Sequence, residues 1–348
     1  MDATIGKLTL HSGQELKNVT MSYSTYGEMN HDKSNVILLF HVLTSSHQAV
    51  REQNGNKTGA LSEGWWDAFI GPGKTLDTNQ FCIICINYLG GCNGSFGPLS
   101  IDADTGQAYG EHFPDICLKD IVSSQIAVLD VLGIENLYAV VGPSLGGLLA
   151  LEFVCQAPNR TQRVISIASS HRIPPTQIAI NFEQILVLNT LKEAGCDDKL
   201  RMAIARMISM KTFLVPENID TNTNAIPKKD LSCSGYTLKH PLEKFLHWNT
   251  LSFHKRFSEH SYMALLKAMN QYQLEGPKPA SLQHQRWLIL SIDDDRCFPK
   301  SEQEALINYL KPHVVDYQHH IATSLSGHDS CLQEAHLYQS TISNFLSH

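Results

Sequence analysis

Ser144 stands in Gly142-Pro143-Ser144-Leu145-Gly146, a G-x-S-x-G pattern that follows an apolar run at 137–141 and opens a helical stretch at 144–153. That context suits a serine that accepts an acyl group. In so tight a strand-to-helix turn, side chains two before and two after the serine would strike neighbouring backbone. Glycine fills both places, and the hydroxyl is held out at the N-terminal end of the next helix. A serine hydroxyl attacks only when a base takes its proton, and the base needs an acid to orient it. With the chain order serine, acid, histidine, the acid is Asp293 or Asp295, just past a late strand, and strand position does not choose between them. The base is His328, in the small-residue loop Ser326-Gly327-His328-Asp329. Two backbone N–H groups are expected to hold the oxyanion: that of Leu145, and one from His41-Val42-Leu43-Thr44, assigned to Leu43.

Other chemistries find less support. His240, His247 and His254 are spaced by sevens, which along a helix is roughly 10 Å, too far to share one ion. No metal site is expected, and no Walker loop or G-x-G-x-x-G fingerprint is present. Nine cysteines make an odd count, read as reduced thiols and not as a disulfide framework. Cys82 and Cys85 form a C-x-x-C, but inside a β-branched apolar run, where a redox pair would lack the exposed helix N-terminus that stabilises its thiolate. The net charge of −7 argues against a polyanion-binding surface, so no nucleic-acid partner is expected. No run approaches the roughly 18 apolar residues of a membrane span. The first residues carry neither a basic nor an apolar leader region, and the expected address is the cytoplasm.

The 348 residues, 43% hydrophobic, supply one large domain or two modest ones. Alternating stretches at 5–10 and 19–26 flank Ser12-Gly13 and predict a hairpin. Short apolar runs at 36–40, 81–86, 137–141 and 164–168 alternate with helical patterns, including 118–132 closed by Gly133. Such alternation predicts an α/β fold, a mostly parallel sheet with helices on both faces. The strand signal then stops for more than a hundred residues. Ile178, Phe182, Ile185 and Leu188 recur at helical spacing before Gly195, and 199–210 and 261–269 read the same way. The polar stretch 220–235 predicts an exposed loop, and strands return at 287–291 and 314–317.

Several blocks, in order, resemble the homoserine O-acetyltransferase family. They are His41-Val42-Leu43-Thr44, Gly64-Trp65-Trp66-Asp67, Leu89-Gly90-Gly91-Cys92, Gly94-Ser95-Phe96-Gly97-Pro98, the Ser144 turn, Asp293-Asp294-Asp295-Arg296-Cys297-Phe298-Pro299 and Gly327-His328-Asp329. The resemblance implies an α/β-hydrolase fold: a core at 1–169, an inserted helical lid at 170–285, and completion of the core at 286–348. It implies transfer of an acyl group from acyl-CoA to a hydroxy amino acid by way of an acyl-serine, with no resident cofactor, in a homodimer formed through the lid. By matching motifs, Asp295 becomes the orienting acid. Arg206, in Ala205-Arg206-Met207-Ile208, would bind the acceptor's carboxylate, and Asp329 its amino group.

This chain also departs from the family pattern. Pro143 and Leu145 replace the usual glycine and methionine around the serine, and Phe213 stands where a tyrosine is usual. Acceptor and donor remain open between homoserine and serine, and between acetyl and succinyl. An esterase or thioesterase would use the same three residues, because water and an alcohol attack the same intermediate.

Overall fold

The apolar runs form the middle of one eight-stranded sheet. In the computed structural model, which describes residues 1–51, 64–219, 231–233, 235–274, 282 and 284–347, its strands are β1 (Asp2–Thr9), β2 (Glu15–Tyr26), β3 (Val36–Leu39), β4 (Cys82–Ile86), β5 (Ala139–Pro143), β6 (Arg163–Ile167), β7 (Arg286–Ile292) and β8 (Asp316–Ala322). Their spatial order is β1-β2-β4-β3-β5-β6-β7-β8. The β1–β2 hairpin and the β2–β4 pair are antiparallel; every other pair is parallel. Side chains alternate between two cores, as period two demands. Val36, Leu38, Ile84, Val140 and Trp287 face one layer, and Ile37, Leu39, Ile83, Val141 and Leu288 the other. Cys82 and Cys85, three apart on β4, therefore lie in opposite cores and cannot meet; all nine cysteines are free.

Helices α1 (Leu118–Val131) and α2 (Leu145–Gln156) cover the first face. The Asp120 carboxylate holds the start of α1, accepting from the N–H groups of Cys117 (2.8 Å) and His11 (2.6 Å). Gly133, in the left-handed region, ends it. The second face is covered by the Trp66–Phe69 aromatic pair and a C-terminal helix that buries Ile342 and Phe345.

Among the described residues, five α-helices separate β6 from β7: α3 (Pro175–Glu193), α4 (Asp198–Phe213), α5 (Pro241–Thr250), α6 (Phe253–Arg256) and α7 (Glu259–Asn270). The two ends of this stretch are zipped together, with Leu274 donating to the His171 carbonyl (2.8 Å) and Arg172 bridged to Gln273. The sheet is thus interrupted and resumed at one narrow neck. The expected loop at 220–235 lies mostly outside the described residues, and where it is described Leu231–Cys233 is a short strand paired antiparallel with Tyr236–Leu238, not a loop. Within them, no helix is long and apolar enough to cross a membrane.

One expectation in the sheet needs correction. The last strand runs over Asp316–Ala322, not 314–317, and six of its seven residues are exposed. It is a sheet edge, paired on one side only, so it carries no apolar run to read. The helical spacing of 178, 182, 185 and 188 is borne out by α3, on which Ile178 and Phe182 point outward, Ile185 is half-buried and Leu188 is fully inside. The inward face belongs instead to Gln177, Asn181 and Gln184.

Candidate active site

The sharp turn between β5 and α2 holds Ser144 at φ +56°, a conformation a side-chain-bearing residue adopts only under constraint. The constraint is close packing. A Cβ on Gly142 would lie 2.0 Å from the Gly146 carbonyl oxygen, and one on Gly146 would lie 2.3 Å from the Phe40 carbonyl oxygen. The turn is therefore pressed against the end of β3.

His328 comes from the loop after β8. Its Nε2 is 2.8 Å from Ser144 Oγ, and its Nδ1 is 2.8 Å from Asp295 Oδ2. Asp295, not Asp293, makes this contact: Asp293 is exposed where β7 ends, whereas Asp295 is 4% exposed. Its other oxygen accepts from the N–H groups of Cys297 and Phe298, each at 2.8 Å, which fixes the carboxylate plane. Burial pushes the His328 pKa down, but the charge and hydrogen bond of Asp295 pull it up further, and it ends above the usual imidazole value. A hydroxyl, a base and an oriented acid are thus joined in one line of hydrogen bonds, the arrangement that makes a serine nucleophilic.

Leu145 is the first residue of α2, so its N–H has no acceptor within the helix. Val42, Leu43 and Thr44 line the cavity above Ser144. Their loop is held by His41, whose ring stacks on Tyr88 (3.6 Å between centroids) and contacts the Val42 carbonyl at 2.8 Å. The cavity is lined from above by residues of α3, α4 and α7.

Arg206 and Asp329 line the same cavity. The Arg206 guanidinium lies over the rings of Phe213 (4.4 Å) and Phe253 (5.2 Å), so Phe213 supports the cation through its ring face. Burial raises the Asp329 pKa to about 6, against the opposing pull of His328 and Arg206. A carboxyl so shifted favours the folded state when protonated, below about pH 4, and loses that contribution as pH rises through about 6. Asp329→Asn, which imitates the protonated form, is accordingly expected to stabilise the fold by about 1–2 kcal/mol at pH 8, discounted for the group's partial exposure. The gain should vanish by about pH 4; thermal melts across that range would check it, and equal melting temperatures at pH 8 would contradict it.

Sequence reasoning missed the amide row Gln177, Asn181 and Gln184, together with Tyr262 and the Cys297 side chain, all of which line the cavity. The row has helical spacing and could have been seen, but amides at that spacing on a helix normally signal a solvated face. Here Gln177 donates to Asn181 Oδ1 (2.8 Å), Asn181 donates to Asn270 Oδ1 (2.9 Å), and the Tyr262 hydroxyl donates to Gln184 Oε1. Pairing among themselves makes their burial tolerable.

Asp295, Cys297 and His328 bring three potential metal donors within 4.8 Å of one another. The carboxylate and imidazole are already committed to each other. His240 caps α5, accepting from the Leu242 N–H (3.1 Å), and His254 contacts the Leu251 carbonyl (3.0 Å), so each has a local structural role.

A family model described as alpha/beta hydrolase fold matches residues 37–195. Homoserine O-acetyltransferase of Methanohalobium evestigatum is 35% identical, the match covering 98% of this chain and 72% of that protein. Among solved structures, homoserine O-acetyltransferase from Bacillus anthracis superposes with a TM-score of 0.86 at 24% identity, covering 100% of this chain and 97% of the other. Esterase E22 superposes with a TM-score of 0.84, also at 24% identity, covering 99% of each chain. These two likenesses show the fold, which carries transferase and esterase names alike.

Proposed function

Because the chain belongs to the homoserine O-acetyltransferase family, acyltransferases on the α/β-hydrolase fold, we propose that it moves an acetyl group from acetyl-CoA to the hydroxyl of homoserine through an acyl-serine. The observation that carries this reading is the line Ser144–His328–Asp295 beneath a cavity that also holds one arginine and one aspartate. In the first half-reaction Ser144 Oγ attacks the thioester carbonyl while His328 takes its proton. The N–H groups of Leu145 and Leu43 receive the oxyanion, and His328 returns the proton to the departing thiolate. In the second, the acceptor hydroxyl gives its proton to His328 and attacks the acyl-serine; Ser144 leaves with that proton.

Transfer in place of hydrolysis needs an acceptor held at high effective concentration with water kept out. Arg206, supported on its two rings, offers guanidinium donors to the acceptor's carboxylate, and Asp329 offers an anion to its ammonium group. The α3–α7 insertion acts as the lid. Its outer face exposes Ile178, Phe182 and Leu186, the last two about half exposed, which supports pairing of two lids in a homodimer. Nine free cysteines suit a reducing cytoplasm, where acyl-CoA is available.

Mass spectrometry of reactions with acetyl-CoA or succinyl-CoA, each with homoserine, serine or no acceptor, tests the whole reading. O-acetylhomoserine should dominate, with little free acetate when acceptor is absent. Free acetate as the main product in every mixture would make the protein a hydrolase; a succinyl or serine product would correct the substrate alone.

A further inference from the structure

We infer that Gln177 recognises the acyl donor, its Oε1 accepting a hydrogen bond from a secondary amide N–H in the thioester's arm; this rests on the acyl-CoA reading above. The amide row on α3 is oriented by groups that can only accept. Gln184 Nε2 points at the Ile180 carbonyl (3.2 Å) and reaches Asn181 Oδ1 (3.5 Å), while its Oε1 takes the Tyr262 proton. Asn270 Nδ2 points at the Ile178 carbonyl (3.4 Å), which leaves its Oδ1 for Asn181 Nδ2 (2.9 Å). Turning Asn181 over would set donor against donor at Gln184 and acceptor against acceptor at Asn270. Asn181 Oδ1 therefore faces Gln177, whose Nε2 must donate to it (2.8 Å).

One atom of the row is left over. Gln177 is 7% exposed and lines the cavity, yet its Oε1 is buried without a partner. A buried carbonyl left unpaired is costly and persists where a ligand completes it. What completes it must be a donor, since an anion would meet a carbonyl dipole of the wrong sign. In the proposed reading the acceptor's carboxylate is assigned to Arg206, its ammonium to Asp329 and its hydroxyl to His328. The acyl donor is not. On the reading above its arm would reach Ser144 through this cavity, and each amide N–H carried inside would need an acceptor there.

Gln177→Met keeps the side-chain length and removes the acceptor; Gln177→Ala gives a second, shorter variant. Steady-state kinetics would compare acetyl-CoA with p-nitrophenyl acetate, an acetyl donor that has no amide. In either variant the KM for acetyl-CoA should rise about five- to tenfold relative to that for p-nitrophenyl acetate, with the change falling on KM and not on kcat. Equal changes for both donors, no change, or a rise confined to the acceptor's KM would overturn the assignment. Turnover of p-nitrophenyl acetate reports that the variants are folded. Failure of the parent reading would appear separately, as wild-type enzyme that cleaves p-nitrophenyl acetate yet releases no thiol from acetyl-CoA.

Discussion

Ser144→Ala is expected to release no burst of free CoA from acetyl-CoA and to lose turnover by a factor on the order of 10⁴ to 10⁶. The fold should be untouched, because the substitution removes one oxygen whose hydrogen-bond partner is the His328 ring (2.8 Å) and leaves the Cβ in its packed turn. The size of the loss follows from the covalent route. On the proposed route no acyl-enzyme can form without Oγ, and the acceptor would have to attack the thioester directly. Intact-mass spectra should show an acetylated wild-type chain and an unmodified variant. A full burst from the variant would sink the mechanism.

Asp295→Asn should cost about 10³–10⁴ in kcat with little change in stability. The asparagine can keep its place, because its Oδ1 still accepts from the N–H groups of Cys297 and Phe298. Its NH₂ would then face His328 Nδ1, where Asp295 Oδ2 now lies at 2.8 Å. Nδ1 becomes the acceptor, the ring proton moves to Nε2, and the base points a proton at Ser144 instead of a lone pair. Geometry survives while the tautomer is wrong. The pH profile supplies a second readout. In the wild-type protein the carboxylate holds the His328 pKa above its usual value, so activity should fall as pH drops through that raised value. Losing the charge should move the acid limb of the residual activity to lower pH. A variant that retains wild-type kcat would show that Asp295 neither orients nor charges the base.

Much of this site was legible because its parts obey local rules. The glycines around Ser144 are dictated by contacts within one turn and against the adjacent strand end, and such contacts leave a mark five residues long. The parallel core was legible for a similar reason: strands buried on both faces, such as Cys82–Ile86, must be apolar throughout. The edge strand Asp316–Ala322 was placed too early, at 314–317, because a strand with one neighbour has no such requirement. The α3 face escaped for a sharper reason. Its apolar residues Phe182 and Leu186 are outside and its amides inside, the reverse of an ordinary amphipathic helix.

The sequence by itself determined which side chains could carry an acyl group and in what order they come, because strand pattern and turn sterics act over a few residues. It left Asp293 and Asp295 equivalent by position until a family motif separated them, and it was silent on Gln177. Those matters belong to the tertiary structure. Which carboxylate reaches an imidazole some thirty residues further along, and which amide oxygen is left without a donor, depend on hydrogen bonds between segments far apart in the chain. Such bonds are satisfied or orphaned only once the whole molecule has closed around them.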